Sequence, residues 1–390
     1  MLQRRGPGGL RNVIKAGAVL SLTGRFAPQG GQARRGLVLW AEGVNSRGGL
    51  TVRERGRPAA LQLLIYDDQS RTGVATARTE RLIVDERVDL LFGPYSSVLT
   101  LAVVAVAERH GKVLWNHGGS SDAVSQRGLR FVVNLPSPAS RYFVGVLEMA
   151  RAAWGPARSI ALLYGASGTF PAAVTAGTEA YAARREFEVV FKAPYLASRD
   201  DMAALVAEVA AREPDVILGV GTTEADLRFA RQLRRQRVRT LLTPLIGLVA
   251  APIQLFMHTL GTDADGFFGP SQWEPGLRDR PDVGPWSVQF CARFRDLFGT
   301  EPDYPAAQAH AAGLIAEQCV EIAGTLRDEA LREAASTLDL STFYGRFRLD
   351  DATGQQVGHE LVVVQWQAGK KLAVWPPPVA EAPPQFGVLP

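Results

Sequence analysis

The chain has few of the residues that hold metals or form crosslinks. Its 390 residues include two cysteines, Cys291 and Cys319, and five histidines. No CxxC motif occurs, and the histidines lack the spacing of a metal site. We therefore predict no metal and no cofactor. The two thiols are expected to be buried, and a disulfide between them stays open because spacing alone does not decide pairing.

Long apolar runs are also missing. None approaches the roughly 20 residues that span a bilayer, so we predict no stable membrane insertion. The first residues, MLQRRGPGGLRN, are basic but lack the apolar core of a signal peptide. Read literally, this start indicates a cytoplasmic protein. An upstream start or a removed leader would give the same sequence, so this feature does not settle the location.

Lysine is scarce, occurring at positions 15, 112, 192, 370 and 371, so that nearly all of the 43 basic residues are arginines. The net charge of +4 is small, and the arginines are scattered among 39 acidic residues. The densest basic run, RQLRRQR at 231–237, is more typical of a solvated helix face than of a nucleic-acid patch. We predict no nucleic-acid partner.

The motifs of common enzymes are absent as well. GVGTTE at 219–224 lacks the third glycine of a dinucleotide fingerprint, and GASGTF at 165–170 lacks the GxSxG spacing of a nucleophile elbow. Asp67 and Asp68 end an apolar run, where aspartates more often cap a turn than serve in acid–base catalysis. The sequence therefore indicates a protein that is not an enzyme.

What the chain does have is a regular alternation of apolar strand-like runs and helix-period stretches. Runs of Val, Leu and Ile, each followed by a helix, predict parallel sheets covered on both faces. The predicted strands lie at 13–21, 61–68, 88–93, 111–116, 130–135, 159–165, 187–192, 214–221, 239–247, 343–350 and 359–366. The predicted helices lie at 30–46, 72–86, 97–109, 121–127, 171–185, 200–212, 223–236, 250–260, 285–298 and 305–325.

This rhythm predicts an α/β protein of two doubly wound, Rossmann-like lobes. The segment LPSPAS at 135–140 separates the two series, because its prolines break the rhythm. We assign residues 12–134 plus 267–345 to lobe 1, residues 135–266 plus 346–375 to lobe 2, and residues 376–390 to a tail. The tail is expected to be too rich in proline to pack regularly. Two similar lobes with a late return of the chain indicate a hinged pair that closes on a ligand.

Two stretches repeat the same polar turn. LFGPYSSVLT at 91–100 and LWNHGGSSDAV at 114–124 each end an apolar run at a glycine-bearing turn with two serines. In open α/β sheets, ligands bind beyond the carboxyl ends of the strands. Each serine singly is expected to cap a helix. Together, Ser96, Ser97, Ser120 and Ser121 predict a cradle of free amides and hydroxyls for a carboxylate or another anion.

A series of longer motifs follows in order along the chain: IKAGAVLSLTGRFAPQGGQARRG, AEGVNSRGGL, IYDDQS, LLFGPYSS, LWNHGGSSDAV, EPDYPAAQAHAAG and FYGRFRLDDATGQQVGHELVVVQW. In this order they resemble the type I periplasmic binding proteins, in particular the leucine/isoleucine/valine-binding branch, over roughly residues 12–375. The resemblance implies a monomeric, non-enzymatic protein that closes over a small-molecule ligand and delivers it to an ABC transporter permease. It also implies three lobe crossings, near Asn134–Ser137, Phe267–Ser271 and Phe343–Arg348.

The same resemblance implies a periplasmic or extracellular location. A cytoplasmic ligand-sensing regulator of the amide-sensing type, built on the same fold, is the alternative. The two differ in whether the true start of the chain lies upstream of Met1 and encodes an apolar leader.

A set of ligand-binding residues is also implied by the resemblance. In lobe 1, a carboxylate would be held by Ser97, Gly118 and Ser120, with Gln29 and Arg25 of the first loop beside it. Lobe 2 would contribute Phe170 and Thr222, and Tyr95, Trp115 and Trp273 are further aromatic candidates.

One position departs from the family pattern. The acidic residue that pairs with the ammonium of an amino-acid ligand falls on Leu245, or on Ile246 if the register shifts. Because neither can balance a buried charge, we predict a carboxylic acid or amide without an α-ammonium, aromatic or branched aliphatic. Glu224 or Asp226 would have to turn inward to restore an amine site.

Overall fold

Two sheets form the framework of the chain in a computed structural model that describes residues 13–125, 128–155, 158–195, 201–236, 245–277 and 280–387. The first sheet contains β1 (Val13–Leu20), β2 (Leu50–Thr51), β3 (Pro58–Asp67), β4 (Leu90–Phe92), β5 (Leu114–Asn116) and β6 (Val132–Asn134), in the order β2-β3-β1-β4-β5-β6. Neighbours pair in parallel except β2, which is antiparallel to β3.

The second sheet has seven strands, in the order β15-β14-β11-β10-β9-β7-β8. They are β7 (Ser159–Tyr164), β8 (Glu188–Pro194), β9 (Val216–Val220), β10 (Leu245–Leu248), β11 (Phe268–Ser271), β14 (Val362–Gln367) and β15 (Lys370–Trp375), while β12 (Asp339–Thr342) and β13 (Gly345–Arg348) form a separate hairpin. The late strands β14 and β15 add an antiparallel edge to an otherwise parallel sheet.

Helices cover both faces of the sheets. They are α1 (Ala27–Ser46), α2 (Thr72–Val84), α3 (Ser97–His110), α4 (Val144–Trp154), α5 (Thr169–Arg184), α6 (Met202–Ala210), α7 (Thr223–Arg235), α8 (Gln254–Leu260), α9 (Ser287–Phe298), α10 (Tyr304–Ala323) and α11 (Asp328–Thr337). On β4, Leu90 and Phe92 pack with α1 and α10, whereas Leu91 packs with α2 and α3. This alternation buries the strand on both sides and confirms the predicted α/β class.

Several elements differ from the prediction. Helices α4 and α11 and strand β15 were not predicted, and the predicted helix at 121–127 is a single 3₁₀ turn at Asp122–Val124. The Asp122 carboxylate accepts bonds from the backbone and hydroxyl of Ser140 at 3.0 and 2.6 Å, which holds this turn in place. Residues 126–127, and residues 239–244 of a predicted strand, lie outside the described ranges.

Strand β11 corrects a lobe boundary. Residues 267–271 were assigned to lobe 1, yet β11 pairs in parallel with β10 and antiparallel with β14 inside the second sheet. The second crossing therefore follows Ser271. Likewise, Phe347 of the hairpin is buried in the core shared with α9 and α10, so the third crossing follows this hairpin.

The proline-rich tail packs against lobe 2, contrary to expectation. Gln365 donates to the Gln385 carbonyl at 2.6 Å and accepts from its N–H at 2.9 Å. The Phe386 ring stacks on Phe268 with centroids 5.9 Å apart and contacts Trp154 at 4.8 Å. Proline prevents a regular strand here, but side-chain bonds and aromatic contacts hold the segment in its place.

The α1–α10 contact depends on glycine. A Cβ built on Gly36 would lie 2.1 Å from the Ala306 carbonyl oxygen, whereas one built on Gly31 of the same helix meets nothing within 4 Å. We expect Gly36→Ala to lower the free energy of unfolding by more than about 2 kcal/mol, because backbone must move. Gly31→Ala should raise it by roughly 0.5–1 kcal/mol through helix propensity. Urea unfolding checks both, and equal stabilities would contradict this packing.

Candidate functional site

The two serine turns of lobe 1 are in direct contact. The Ser96 N–H donates to the Gly118 carbonyl at 3.2 Å, and the Ser121 N–H donates to Ser97 Oγ at 3.0 Å. A Cβ on Gly118 would lie 2.6 Å from the carbonyl oxygen of Pro94, so glycine is needed for this approach. The structure thus joins the turns after β4 and β5 into one cradle at the carboxyl edge of the sheet.

The amides of Gly118 and Gly119 in the second turn are not free, which corrects part of the predicted cradle. Asn116 Oδ1 accepts from the N–H groups of both Gly118 and Gly119, at 3.1 and 2.8 Å. Its Nδ2 donates to the Gly119 carbonyl at 2.7 Å and to Asn134 at 2.8 Å. Asn116, which the sequence interpretation did not single out, therefore takes the place that an anion would have at these amides.

Hydroxyl groups are among the donors that the cradle retains. Ser96 caps α3 with a long contact of 3.5 Å to the Leu99 N–H. Ser97 Oγ is engaged as an acceptor by the Ser121 N–H, and Ser120 Oγ lies 3.1 Å from the Tyr142 hydroxyl. Since a serine oxygen that accepts a bond still carries its own proton, Ser97 has a hydrogen to donate.

The first loop and the first serine turn form an aromatic wall. The Arg25 guanidinium lies 4.5 Å over the ring of Phe26, whose ring meets that of Tyr95 edge-on at 5.8 Å. The Tyr95 hydroxyl is bonded to that of Tyr304 at the start of α10. The structure therefore brings Arg25 and Tyr95 together, with Tyr304 as a neighbour that the sequence did not reveal.

Gln29 of α1 and Ser121 of the second serine turn each have a buried polar atom without an intramolecular partner among the described residues. Gln29 Oε1 and Ser121 Oγ have no hydrogen-bond partner within the described part of the chain. Buried polar atoms nearly always have a partner, so an unpaired one at a cleft edge is suited to a ligand or a bound water. The role of Gln29 as a ligand contact stays a prediction.

Tyr142 connects the cradle to lobe 2. Its ring meets Phe170, the predicted aromatic of lobe 2, in a T-shaped contact with centroids 5.0 Å apart. The Ala139 N–H, in the same segment, donates to the Ser120 carbonyl at 2.7 Å. Burial raises the pKa of Tyr142, so its hydroxyl stays protonated and neutral.

Lobe 2 has a cavity of about 470 Å³ at the carboxyl ends of β7 and β9. Thr222 lines it, as predicted, and caps α7 by accepting from the Ala225 N–H at 3.2 Å. Charged side chains, Glu224 and Arg228, also line this cavity. The lobe 2 wall is therefore more polar than the sequence indicated.

The structure places the predicted contacts Leu245 and Trp273 in the hydrophobic cores of the two lobes. Leu245 is the first residue of β10, far from its carboxyl end, and is fully buried, as is Ile246 beside it. Trp273 is buried in the core of lobe 1, where its ring meets that of Phe290 at 5.7 Å and its N–H donates to the Phe343 carbonyl at 3.1 Å. Trp115 is likewise buried in that core.

Asp226 is committed to the scaffold of lobe 2. Its Oδ1 accepts from the Tyr195 hydroxyl and from the Gly221 N–H at 3.0 Å, and its Oδ2 accepts from the Ala250 N–H at 2.9 Å. Burial raises the pKa of Asp226 to about 7, against the opposing effect of these donors. The carboxyl ties together the segments after β8, β9 and β10, so it does not turn toward a ligand.

The paired α/β lobes, joined by repeated crossings and with polar turns at their carboxyl edges, define a type I periplasmic binding protein fold. A family model described as periplasmic binding protein matches residues 13–371. The chain belongs to this family.

Relatives and solved structures agree with this assignment. "Leu/Ile/Val-binding protein homolog 8" of Brucella abortus (strain 2308) is 24% identical over 385 residues, which covers 96% of this chain and 93% of that protein. A branched-chain amino acid transporter substrate binding protein of Streptococcus pneumoniae, solved with isoleucine, has a TM-score of 0.77 at 18% identity, covering 92% of this chain and 97% of that one. An ABC transporter solute binding protein of R. palustris, solved with benzoate, has a TM-score of 0.73 at 20% identity, covering 93% and 95%.

Membership of the family confirms a non-enzymatic solute-binding protein of ABC transporters that takes a small ligand. The family is one that works outside the cytoplasm. In the described ranges, no helix combines the length and apolar character required to cross a bilayer.

The Asp226 carboxylate accepts three hydrogen bonds, so its replacement should lower the free energy of unfolding. Asp226→Asn would turn an N–H toward one of two backbone donors, so we expect the free energy of unfolding at pH 8 to fall by about 1–3 kcal/mol. Glu224→Gln, an exposed change of the same kind on the same helix, should stay within about 0.5 kcal/mol of the wild type. Urea unfolding measures both, and two equally stable variants would disprove the role of Asp226.

Proposed function

We propose that this protein binds a small carboxylate, or the matching amide, between its lobes and delivers it to an ABC importer. The observation that carries the proposal is the hydrogen bond at Ser97. Because Ser97 Oγ already accepts from the Ser121 N–H at 3.0 Å, its own proton is left for an acceptor on the ligand. A carboxylate oxygen is a charged acceptor, and hydrogen bonds to charged acceptors are roughly twice as strong as those between neutral groups.

The surroundings of the cradle suit one negative charge held by neutral donors. Burial raises the pKa of Tyr95 and of Tyr142, so both phenols remain neutral. Ser97 is also the first residue of α3, where the helix dipole favours an anion. Neutral hydroxyl donors and a dipole can hold a carboxylate without a second buried charge to desolvate.

The carboxylates of the neighbourhood favour a ligand without an α-ammonium. Both oxygens of Asp226 accept bonds from lobe 2, and both oxygens of Asp122 accept bonds from Ser140. The segment that follows β10 begins with Val249 and Ala250, which carry no charge. Glu224 of the lobe 2 cavity is the acidic side chain that would have to pair with an amine.

The rest of the cleft favours an apolar or aromatic body. Phe170 and Tyr142 present rings from the lobe 2 side, and Phe26 and Tyr95 from the lobe 1 side. Offset and edge-on ring contacts add about 0.5–1.5 kcal/mol each to the burial of a ring. The benzoate in the R. palustris structure is an aromatic acid without an ammonium on the same fold, which supports this class.

Delivery to a permease requires a place outside the cytoplasm. We propose a periplasmic or extracellular protein, supported by the location at which its family works. A monomer is proposed as well, because a pair of lobes that closes on a ligand is complete within one chain.

The serines of the cradle can be tested directly. Replacing Ser97 and Ser120 together with Ala should weaken carboxylate binding by well over tenfold, since each hydrogen bond to a charged group contributes about 1.5 kcal/mol or more. Ser96→Ala is the matched control, because Ser96 caps α3 and should affect stability more than affinity. Calorimetry measures affinity, and an unchanged value for the double variant would remove both serines from the site.

The ligand class is tested by paired compounds. We expect 4-methylpentanoate to bind more tightly than leucine, and 3-phenylpropanoate more tightly than phenylalanine, because an unpaired ammonium costs several kcal/mol in the cleft. Thermal shift and calorimetry give the ranking. Tighter binding of the amino acids in both pairs would refute the proposed class, and a loss of that binding in Glu224→Gln would identify Glu224 as the amine partner.

A further inference from the structure

Gln272, in the second crossing, has an orientation that its neighbours fix. Its Oε1 lies 3.1 Å from the Ser137 N–H, and its Nε2 lies 3.2 Å from the Ser137 carbonyl oxygen. A backbone N–H needs an oxygen acceptor and a backbone carbonyl needs an N–H donor, so the side-chain amide of Gln272 cannot be flipped. Gln272 is 3% exposed, so bulk solvent does not compete for these groups.

This orientation sets the direction of the next hydrogen bond. Gln272 Nε2 also lies 3.1 Å from the Tyr142 hydroxyl oxygen, and it can act there only as a donor. The Tyr142 oxygen therefore accepts, and its proton must go elsewhere. Its other polar neighbour is Ser120 Oγ at 3.1 Å, which is the acceptor within reach of the Tyr142 proton. A bond from Tyr142 to Ser120 is the direction in which the Tyr142 hydroxyl both accepts and donates within the protein.

Ser120 is then left with a hydroxyl proton that points away from Tyr142. Within the described part of the chain that proton has no acceptor. The chain of bonds runs from Gln272 Nε2–H through Tyr142 O–H to Ser120 O–H, and each member donates to the next.

We propose that Tyr142, oriented by Gln272, is a positioning residue for Ser120. Because Ser120 Oγ accepts from Tyr142, its own proton is directed to the ligand, and the cradle selects a head group that accepts a hydrogen bond. This inference rests on the proposed carboxylate function. It assigns to the crossing segments a part in specificity, because the polarity of the cradle is set by a glutamine of the hinge. The orientation of the Ser97 hydroxyl does not depend on the Gln272–Tyr142–Ser120 series of hydrogen bonds, since it is set by the Ser121 N–H.

The test is a double-mutant cycle on affinity. The probes are benzoate, 3-phenylpropanoate and 4-methylpentanoate, and the tightest binder is measured by calorimetry beside its primary amide. Tyr142→Phe should weaken carboxylate binding by about tenfold, which corresponds to 1.4 kcal/mol. It should change amide binding less than about threefold, because an unfixed Ser120 can turn to accept from the amide N–H.

The cycle separates positioning from general damage. In a Ser120→Ala background, Tyr142→Phe should have no further effect on carboxylate affinity, whereas in a Ser97→Ala background its effect should persist. Equal losses in both backgrounds, or an unchanged ratio of carboxylate to amide affinity, would overturn the role of Tyr142.

A second cycle, on the free energy of unfolding without any probe, tests the bond itself. Tyr142→Phe and Ser120→Ala should be coupled, and Tyr142→Phe and Ser97→Ala should be additive. If the wild type binds none of the carboxylates, the proposed function fails and the role of Tyr142 in specificity fails with it. Coupling in unfolding would then show that the hydrogen bond exists but serves structure alone.

Discussion

The hydrogen bonds around Gln272 are the interaction on which the two-lobed arrangement depends. The Ser137 N–H and the Tyr344 hydroxyl donate to its Oε1 at 3.1 and 2.8 Å, and its Nε2 donates to the Ser137 carbonyl and to Tyr142. The side chain of Gln272 is buried, and both its amide oxygen and its amide nitrogen are hydrogen-bonded. The loss of any partner would therefore leave a buried polar group unpaired. One side chain of the second crossing thereby joins Ser137 of the first crossing to the hairpin that precedes the third crossing.

His359 completes this pivot from the third crossing. Its Nδ1 lies 2.7 Å from Ser137 Oγ, its ring stacks on Tyr344 with centroids 4.3 Å apart, and burial lowers its pKa to about 4. The ring is therefore neutral at physiological pH, and the pivot contains no charge that would have to be desolvated. We expect a closing rotation of the lobes to keep these short bonds. The bending would then fall on the segments that flank the pivot.

Much of the framework could be predicted from the sequence, because buried strands require runs of Val, Leu and Ile and each run ends where a helix begins. The end of β10 could not be predicted from the sequence. Gly247 was taken as the strand end, but it lies inside β10, where a Cβ would come within 3.0 Å of the Leu218 side chain. A glycine that marks a tight approach looks the same in sequence as one that marks a turn.

The cradle shows the same limit at a finer scale. The glycines and serines of the two turns were found from sequence because close approach and capping have recognisable residue types. The use of the Gly118 and Gly119 amides by Asn116 was not, since an asparagine at a strand end is as readily a turn residue as a ligand contact. Likewise, nothing in the sequence around Tyr142 or Gln272 marks them, because their roles arise from segments 130 residues apart in the chain.

The recognition proposed for lobe 1 would depend on hydroxyl groups whose directions the protein determines. A free serine rotates and can donate or accept, so it distinguishes poorly between a carboxylate and an amine. In this cradle Ser97 has its oxygen occupied by a backbone N–H before any ligand arrives. Fixing a donor in advance lowers the entropy lost on binding. On the proposed function, the head group would bind to lobe 1. The lobe 2 cavity, lined by Thr222 and Glu224, would then contact the body of the ligand on closure.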